Sequence, residues 1–145
     1  MIPNQINSLK CMHVQVKDLR SAASKSPDGV IPMNNKLFDK FAAGNPRPYS
    51  LVIFFTADKM KQDNTNLKLG ELRDNFGLMV RHYRSTFPDS DRIFFCEVEL
   101  ADSKEVFHRM DVNTLPWVAH IAPGNVMKCV RTPVENTSLH RANFP

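Results

Sequence analysis

Three cysteines, Cys11, Cys96 and Cys129, carry the chemistry that would matter most in this chain, and their spacing limits what they can do. Thiol–disulfide exchange needs a reactive thiolate and a second sulfur near enough to resolve the mixed disulfide. No Cys-x-x-Cys pair occurs and no Cys/His pattern has metal-ligand spacing, so the sequence encodes neither a redox dithiol nor a zinc site. Cys96 lies in the apolar run Ile93-Phe94-Phe95 and reads as a small buried hydrophobe. A Cys11–Cys129 bridge stays open at this level. His13, His82, His108, His120 and His140 are spread out and share no helical face with a Cys or Glu. Packing and surface roles account for them, and nothing calls for a metal or a cofactor.

Length and composition fit one folded domain: 145 residues, 42% hydrophobic and 23% charged. The net charge of +4 comes from Lys and Arg scattered among Asp and Glu, a solvated surface from which no nucleic-acid partner is expected. Apolar runs such as Leu51 to Phe55 fall far short of the roughly 20 residues that span a bilayer. Met1 is not followed by a basic segment leading into an apolar stretch, so no secretory leader is read in the chain as given.

The elements that must position any site follow from periodicity. Residues 1–28 read as an N-terminal extension with a possible helix from His13 to Ala23, closed by the turn signal Ser26-Pro27-Asp28-Gly29. A domain over 29–132 then begins with a short strand at Val30-Ile31, which Pro32 confines to an edge. Asn34 or Asn35 can cap a helix carrying Leu37, Phe38 and Phe41. Tyr49 to Thr56 is nearly continuous in apolar and β-favouring residues, as a central strand covered on both faces requires. Leu69, Leu72, Phe76, Met79, Val80 and Tyr83 recur at helical spacing. Arg92 to Leu100 is a second strong strand, and Ser103 to Met110 a short helix. Asp111 to Pro116 leads into a hairpin of Trp117 to Ile121 and Val126 to Val130, joined through Pro123-Gly124-Asn125. Residues 133–145 form a polar tail or weak final helix.

Strand and helix alternating three times before a hairpin is the order of the thioredoxin-like α/β fold: a mixed central sheet flanked by helices, with a proline directly before the hairpin. In that setting Leu115-Pro116 is expected to be cis. The dithiol of such a fold would sit at the N-terminus of the helix after the central strand. Here that place is Lys61-Gln62-Asp63-Asn64-Thr65-Asn66-Leu67-Lys68-Leu69, without a thiol.

The stretches Val30-Ile-Pro-Met-Asn-Asn-Lys-Leu-Phe, Pro48-Tyr-Ser-Leu-Val-Ile-Phe-Phe-Thr-Ala, Arg92-Ile-Phe-Phe-Cys-Glu-Val-Glu and Val112-Asn-Thr-Leu-Pro occur in order across residues 19–130. Together they resemble the lumenal domain of the thioredoxin-like accessory subunit of eukaryotic oligosaccharyltransferase, the family of the magnesium-transporter-1-like and tumour-suppressor-candidate-3 proteins. In many members a Cys-x-x-Cys precedes the helix. Its two cysteine positions correspond here to Asn66 and Leu69, as in plant-like members that lack the motif. The resemblance implies a redox-inactive domain in the lumen of the endoplasmic reticulum, without catalysis of its own, that assists N-glycosylation. It would hold nascent or unfolded polypeptide noncovalently and contact other oligosaccharyltransferase subunits, and it would meet the membrane only through helices absent from this chain. If Leu115-Pro116 is cis, the backbone of Leu115 turns outward and an extended peptide can pair with it. Thr114, Leu115, Pro116 and Trp117 on one side, and Asn66, Leu67, Lys68 and Leu69 on the other, then make the peptide-binding set. Duller readings stand beside these: Pro116 as a turn former, Trp117 as a packing residue and the 58–66 loop as a solvated connector. Asn136-Thr137-Ser138 is a glycan acceptor sequence usable only in the lumen. The alternatives in other classes are a thiol–disulfide oxidoreductase, opposed by the missing dithiol, and a magnesium-transport component, for which no oxygen-rich cage is visible.

Overall fold

In the computed structural model, residues 3–43, 47–57, 69–124 and 129–133 are described, the side chains of 3–9 and 129–133 excepted. The organising element is β2 (Ser50–Thr56), all seven residues of which are buried. A strand with no polar side can be satisfied only between two covered faces, in the interior of a sheet. It occupies the middle of a five-stranded sheet ordered β1-β3-β2-β4-β5, with β1 at Ile31–Pro32, β3 at Ile93–Glu99, β4 at Trp117–Ile121 and β5 at Cys129–Pro133. β1, β3 and β2 run parallel; β4 is antiparallel to β2, and β5 to β4. Pro32 brings no N–H to a ladder, and β1 is indeed an edge.

Side chains alternate across the sheet and build two cores. On one face Leu51, Ile53, Phe55, Cys96 and Val98 meet Leu19, Phe38, Phe41, Phe107 and Met110. These come from α1 (Pro3–Lys25), α2 (Asn35–Phe41), α4 (Lys104–Arg109) and the residue after it. On the other face Val52, Phe54, Phe95 and Val118 lie under Leu72, Phe76 and Val80 of α3 (Leu69–Thr86). Asn34 caps α2, its Oδ1 accepting from Leu37 N at 2.9 Å.

Two elements differ from the sequence expectation. The helix expected over His13 to Ala23 runs from Pro3 to Lys25, and Leu19 and Ala23 reach the main core. Its exposed residues are too mixed in character for periodicity alone to mark the ends. The last strand lies at Cys129–Pro133 instead of Val126 to Val130, because Ile121 pairs with Cys129 and Trp117 with Pro133. The connection is therefore longer than the expected turn; of it, Gly124 exchanges backbone hydrogen bonds with Arg47.

Candidate functional site

The register fixes what meets at the C-terminal end of β2. Phe55 pairs with Trp117, so the first residue of β4 lies beside the end of the central strand. Both the chain leaving β2 and the loop entering β4 are therefore at this end. Leu69 opens α3 thirteen residues after Thr56, the last of β2, matching its expected place as the start of the helix. The loop over 111–116 leaves α4 through Asp111, whose φ is +54°, and ends in the Leu115–Pro116 peptide bond, which is cis. Leu115, Pro116 and Trp117 are half-buried and Thr114 is exposed. Among the described residues, no hydrogen bond engages the main chain of Thr114 or Leu115. Leu100, Val112, Leu115 and Trp117 pack as a half-buried apolar fringe on the larger core.

Of the expected peptide-binding set, Thr114, Leu115, Pro116 and Trp117 are thus contiguous at this end. Asn66, Leu67 and Lys68 lie outside the described residues, as does Asn136. Trp117 keeps its packing role, and its indole N–H is buried without an acceptor among the described residues. Thr56, 1% exposed, likewise has no hydrogen-bond partner for its hydroxyl among those residues.

The thiols are elsewhere. Cys96 sits in mid-sheet between Ile31 and Ile53, fully buried, and burial alone pushes its thiol pKa up, away from the reactive thiolate. Cys11 carries a free thiol exposed on α1. Cys129 pairs with Ile121, four residues along β4 from Trp117, or about 14 Å at the usual strand rise. His13, His82 and His108 are exposed, and His120 is half-buried, with its pKa lowered by that burial. Among the described residues no group of three or more His, Cys, Asp or Glu could hold a metal ion.

One polar cluster next to this end was not anticipated. Arg73 of α3 reaches both Asp28 in the turn after α1 and Glu97 of β3. Residues 28, 73 and 97 share no local spacing, so only the tertiary fold brings them together.

A mixed sheet of this order, helices on both faces and a proline-gated strand beside the helix that follows the central strand define a thioredoxin-fold domain. The structural likeness agrees. The first thioredoxin domain of mouse protein disulfide-isomerase A4 superposes with a TM-score of 0.54 at 17% identity, covering 77% of this chain and 69% of that one. Human ERp44 in its zinc-bound form gives 0.56 at 14% identity, covering 73% and 26%. At such identities the likeness concerns the fold alone. The chain belongs to the OST3 / OST6 family, transporter family, which matches residues 17–143. Among its relatives, the probable dolichyl-diphosphooligosaccharide–protein glycosyltransferase subunit 3 of Oryza sativa subsp. japonica is 36% identical over 109 residues, 74% of this chain and 32% of that protein. Subunit 3B of Arabidopsis thaliana is 36% identical over 112 residues, with the same coverage. The glycosyltransferase subunit MAGT1 of Xenopus laevis is 29% identical over 109 residues, 75% of this chain and 32% of the relative. The chain spans about a third of the length of these curated relatives. No helix among the described residues is long and apolar enough to cross a membrane.

Proposed function

We propose that this domain is a non-catalytic part of an oligosaccharyltransferase accessory subunit, facing the lumen of the endoplasmic reticulum, where it holds acceptor polypeptide by noncovalent contact. The observation that carries the reading is the main chain of Thr114 and Leu115, which makes no hydrogen bond among the described residues, beside the half-buried apolar residues Leu115 and Trp117. An extended polypeptide pairs with such a segment as an added strand: main-chain hydrogen bonds give affinity independent of sequence, and the apolar fringe takes alternate side chains. On the opposite side the wall begins at Leu69, the first residue of α3.

The thiol placement supports the noncovalent mode. A mixed disulfide needs a sulfur at the start of α3, and the described thiols are the mid-sheet Cys96 and Cys11 on α1. Cys129 follows from backbone register at the far end of β4. Family membership supports the accessory role, since the relatives are named as subunits of the glycosyltransferase; the other subunits of that complex are the partners.

Titrating the 15N-labelled domain with an unfolded peptide containing an Asn-x-Thr acceptor tests the site. Shifts are expected at Thr114, Leu115, Trp117 and Leu69, and shifts confined to other surfaces would sink it. Insulin reduction should not exceed the buffer rate; acceleration by the domain would return the oxidoreductase reading. Expression behind a secretory leader should yield a glycan at Asn136 that is lost in Asn136→Gln, a direct check that this tail meets the lumenal enzyme.

A further inference from the structure

The cluster of Arg73, Asp28 and Glu97 binds three separate segments at one point. Arg73 Nη1 donates to Asp28 Oδ2 at 2.8 Å and its Nε donates to Glu97. The three side chains are 26%, 15% and 26% exposed, so water screens them only in part. The second oxygen of Asp28 accepts from Val30 N at 3.0 Å and from Ser26 Oγ at 3.1 Å. Burial alone would raise the pKa of Asp28; the hydrogen bonds from Arg73, Val30 and Ser26, with the guanidinium charge, outweigh it and hold that carboxyl below its ordinary range. Burial likewise disfavours the Arg73 cation, and its two carboxylate partners more than restore it. Helix α3 is pressed onto the pair: a Cβ on Gly77 would stand 2.7 Å from Asp28 Oδ2 and 3.1 Å from Arg73 Nη1.

Among the described residues, the first turn of α3 has one buried side chain besides this cluster. Leu72 is its buried residue and Leu69 is half-buried, while the aromatic contacts of this helix begin at Phe76. We infer that Arg73 is a positioning residue: by bridging Asp28 and Glu97 it fixes the start of α3 against β3, and so sets one wall of the peptide site. This rests on the site assigned above. The role asks for arginine in particular, because a planar fork serves two carboxylates in different directions, whereas a lysine ammonium is a single point charge on a flexible stem.

The test uses the whole chain, Arg73→Lys and Glu97→Gln, with amide exchange and the same unfolded acceptor peptide as readouts. In Arg73→Lys, amides of 72–76 should exchange about tenfold faster, while β2, β3 and the turn around Val80 keep wild-type protection. Peptide affinity should fall several-fold, and Glu97→Gln should give a weaker form of both effects. Uniform loss of protection in every element would make Arg73 a general staple and overturn the inference. So would unchanged affinity in a variant whose wild type binds. If the wild type takes no peptide, the site fails and the positioning role fails with it, yet the exchange contrast still decides whether Arg73 holds the helix start.

Discussion

From Phe76 to Tyr83, α3 is fastened by rings. Phe76 stacks on Phe54 with centroids 5.2 Å apart and meets Phe95 edge-on at 6.1 Å, and Tyr83 meets Phe95 at 5.3 Å. From Leu69 to Arg73 the same helix buries Leu72 but no ring, and its polar fastening is by charge, through Asp28 and Glu97. Ring packing is close to all-or-none, since removing a buried aromatic leaves a cavity that the surroundings fill only partly. A partly buried ion pair is graded, because water and salt still share in it to some extent. The difference teaches which part of the element specifies the fold and which part can be adjusted: the adjustable end is the one at the proposed peptide site.

The contrast breaks first at Phe76. It is 1% exposed, so Phe76→Ala should cost about 3–5 kcal/mol in urea unfolding and destabilise both ends of α3 together. A loss under 1 kcal/mol would mean that the rings do not carry the helix.

The next effect is smaller and changes sign with background. Gly77→Ala places a methyl against Asp28 Oδ2, at the 2.7 Å approach noted above, and should destabilise by roughly 1–3 kcal/mol as the clamp gives way. With Asp28→Ala already present the 2.7 Å obstruction is gone, the flexible end of Arg73 can give way, and the same substitution should gain up to about 1 kcal/mol from helix propensity. Thermal melts of the four proteins in this cycle measure it, and equal effects in both backgrounds would deny the close approach.

Acid gives a gentler handle. Asp28 has a folded pKa held below its ordinary value of 3.8, so its stabilisation is fully present above the unfolded value and is lost as pH falls through the folded one. Stability should therefore drop below about pH 4, and part of that slope should vanish in Asp28→Asn. Urea midpoints at a series of pH values read it directly, and an unchanged slope in the variant would remove Asp28 from the clamp.

How much of this could be read from residues alone follows the same divide. The continuous apolar run over Ser50–Thr56 has one physical solution, and the spacing from Leu69 to Tyr83 has one as well, so β2 and α3 were both legible. The absence of cysteine from 58–69 and the proline before Trp117 were legible as well, and that proline follows a cis bond where Trp117 pairs with Phe55. Two features were not legible for the reason that they are not local. The full length of α1 depends on a few contacts, such as Leu19 and Ala23, within an otherwise mixed surface. The Arg73 clamp depends on three positions far apart in the chain that only the folded sheet and its turn bring within hydrogen-bond reach.

The smallest effect is the one that separates the two ends most cleanly. Cys96 lies under the opposite face of the sheet from α3, fully buried, with burial holding its thiol protonated, so it reacts only when the core opens. Cys11, exposed on α1, serves as an internal standard that alkylates in the native state. Where reclosing is fast, the labelling rate of Cys96 tracks the free energy of opening. A loss of 3 kcal/mol or more in Phe76→Ala should then speed it about a hundredfold or beyond. Arg73→Lys should leave it at the wild-type rate while the exchange of 72–76 accelerates, because a clamp that sets only the helix start has no hold on the far core. Faster Cys96 labelling in that variant, followed by mass spectrometry of the alkylated peptides, would show that charge and rings belong to one cooperative unit and that the two ends of α3 do not differ in kind.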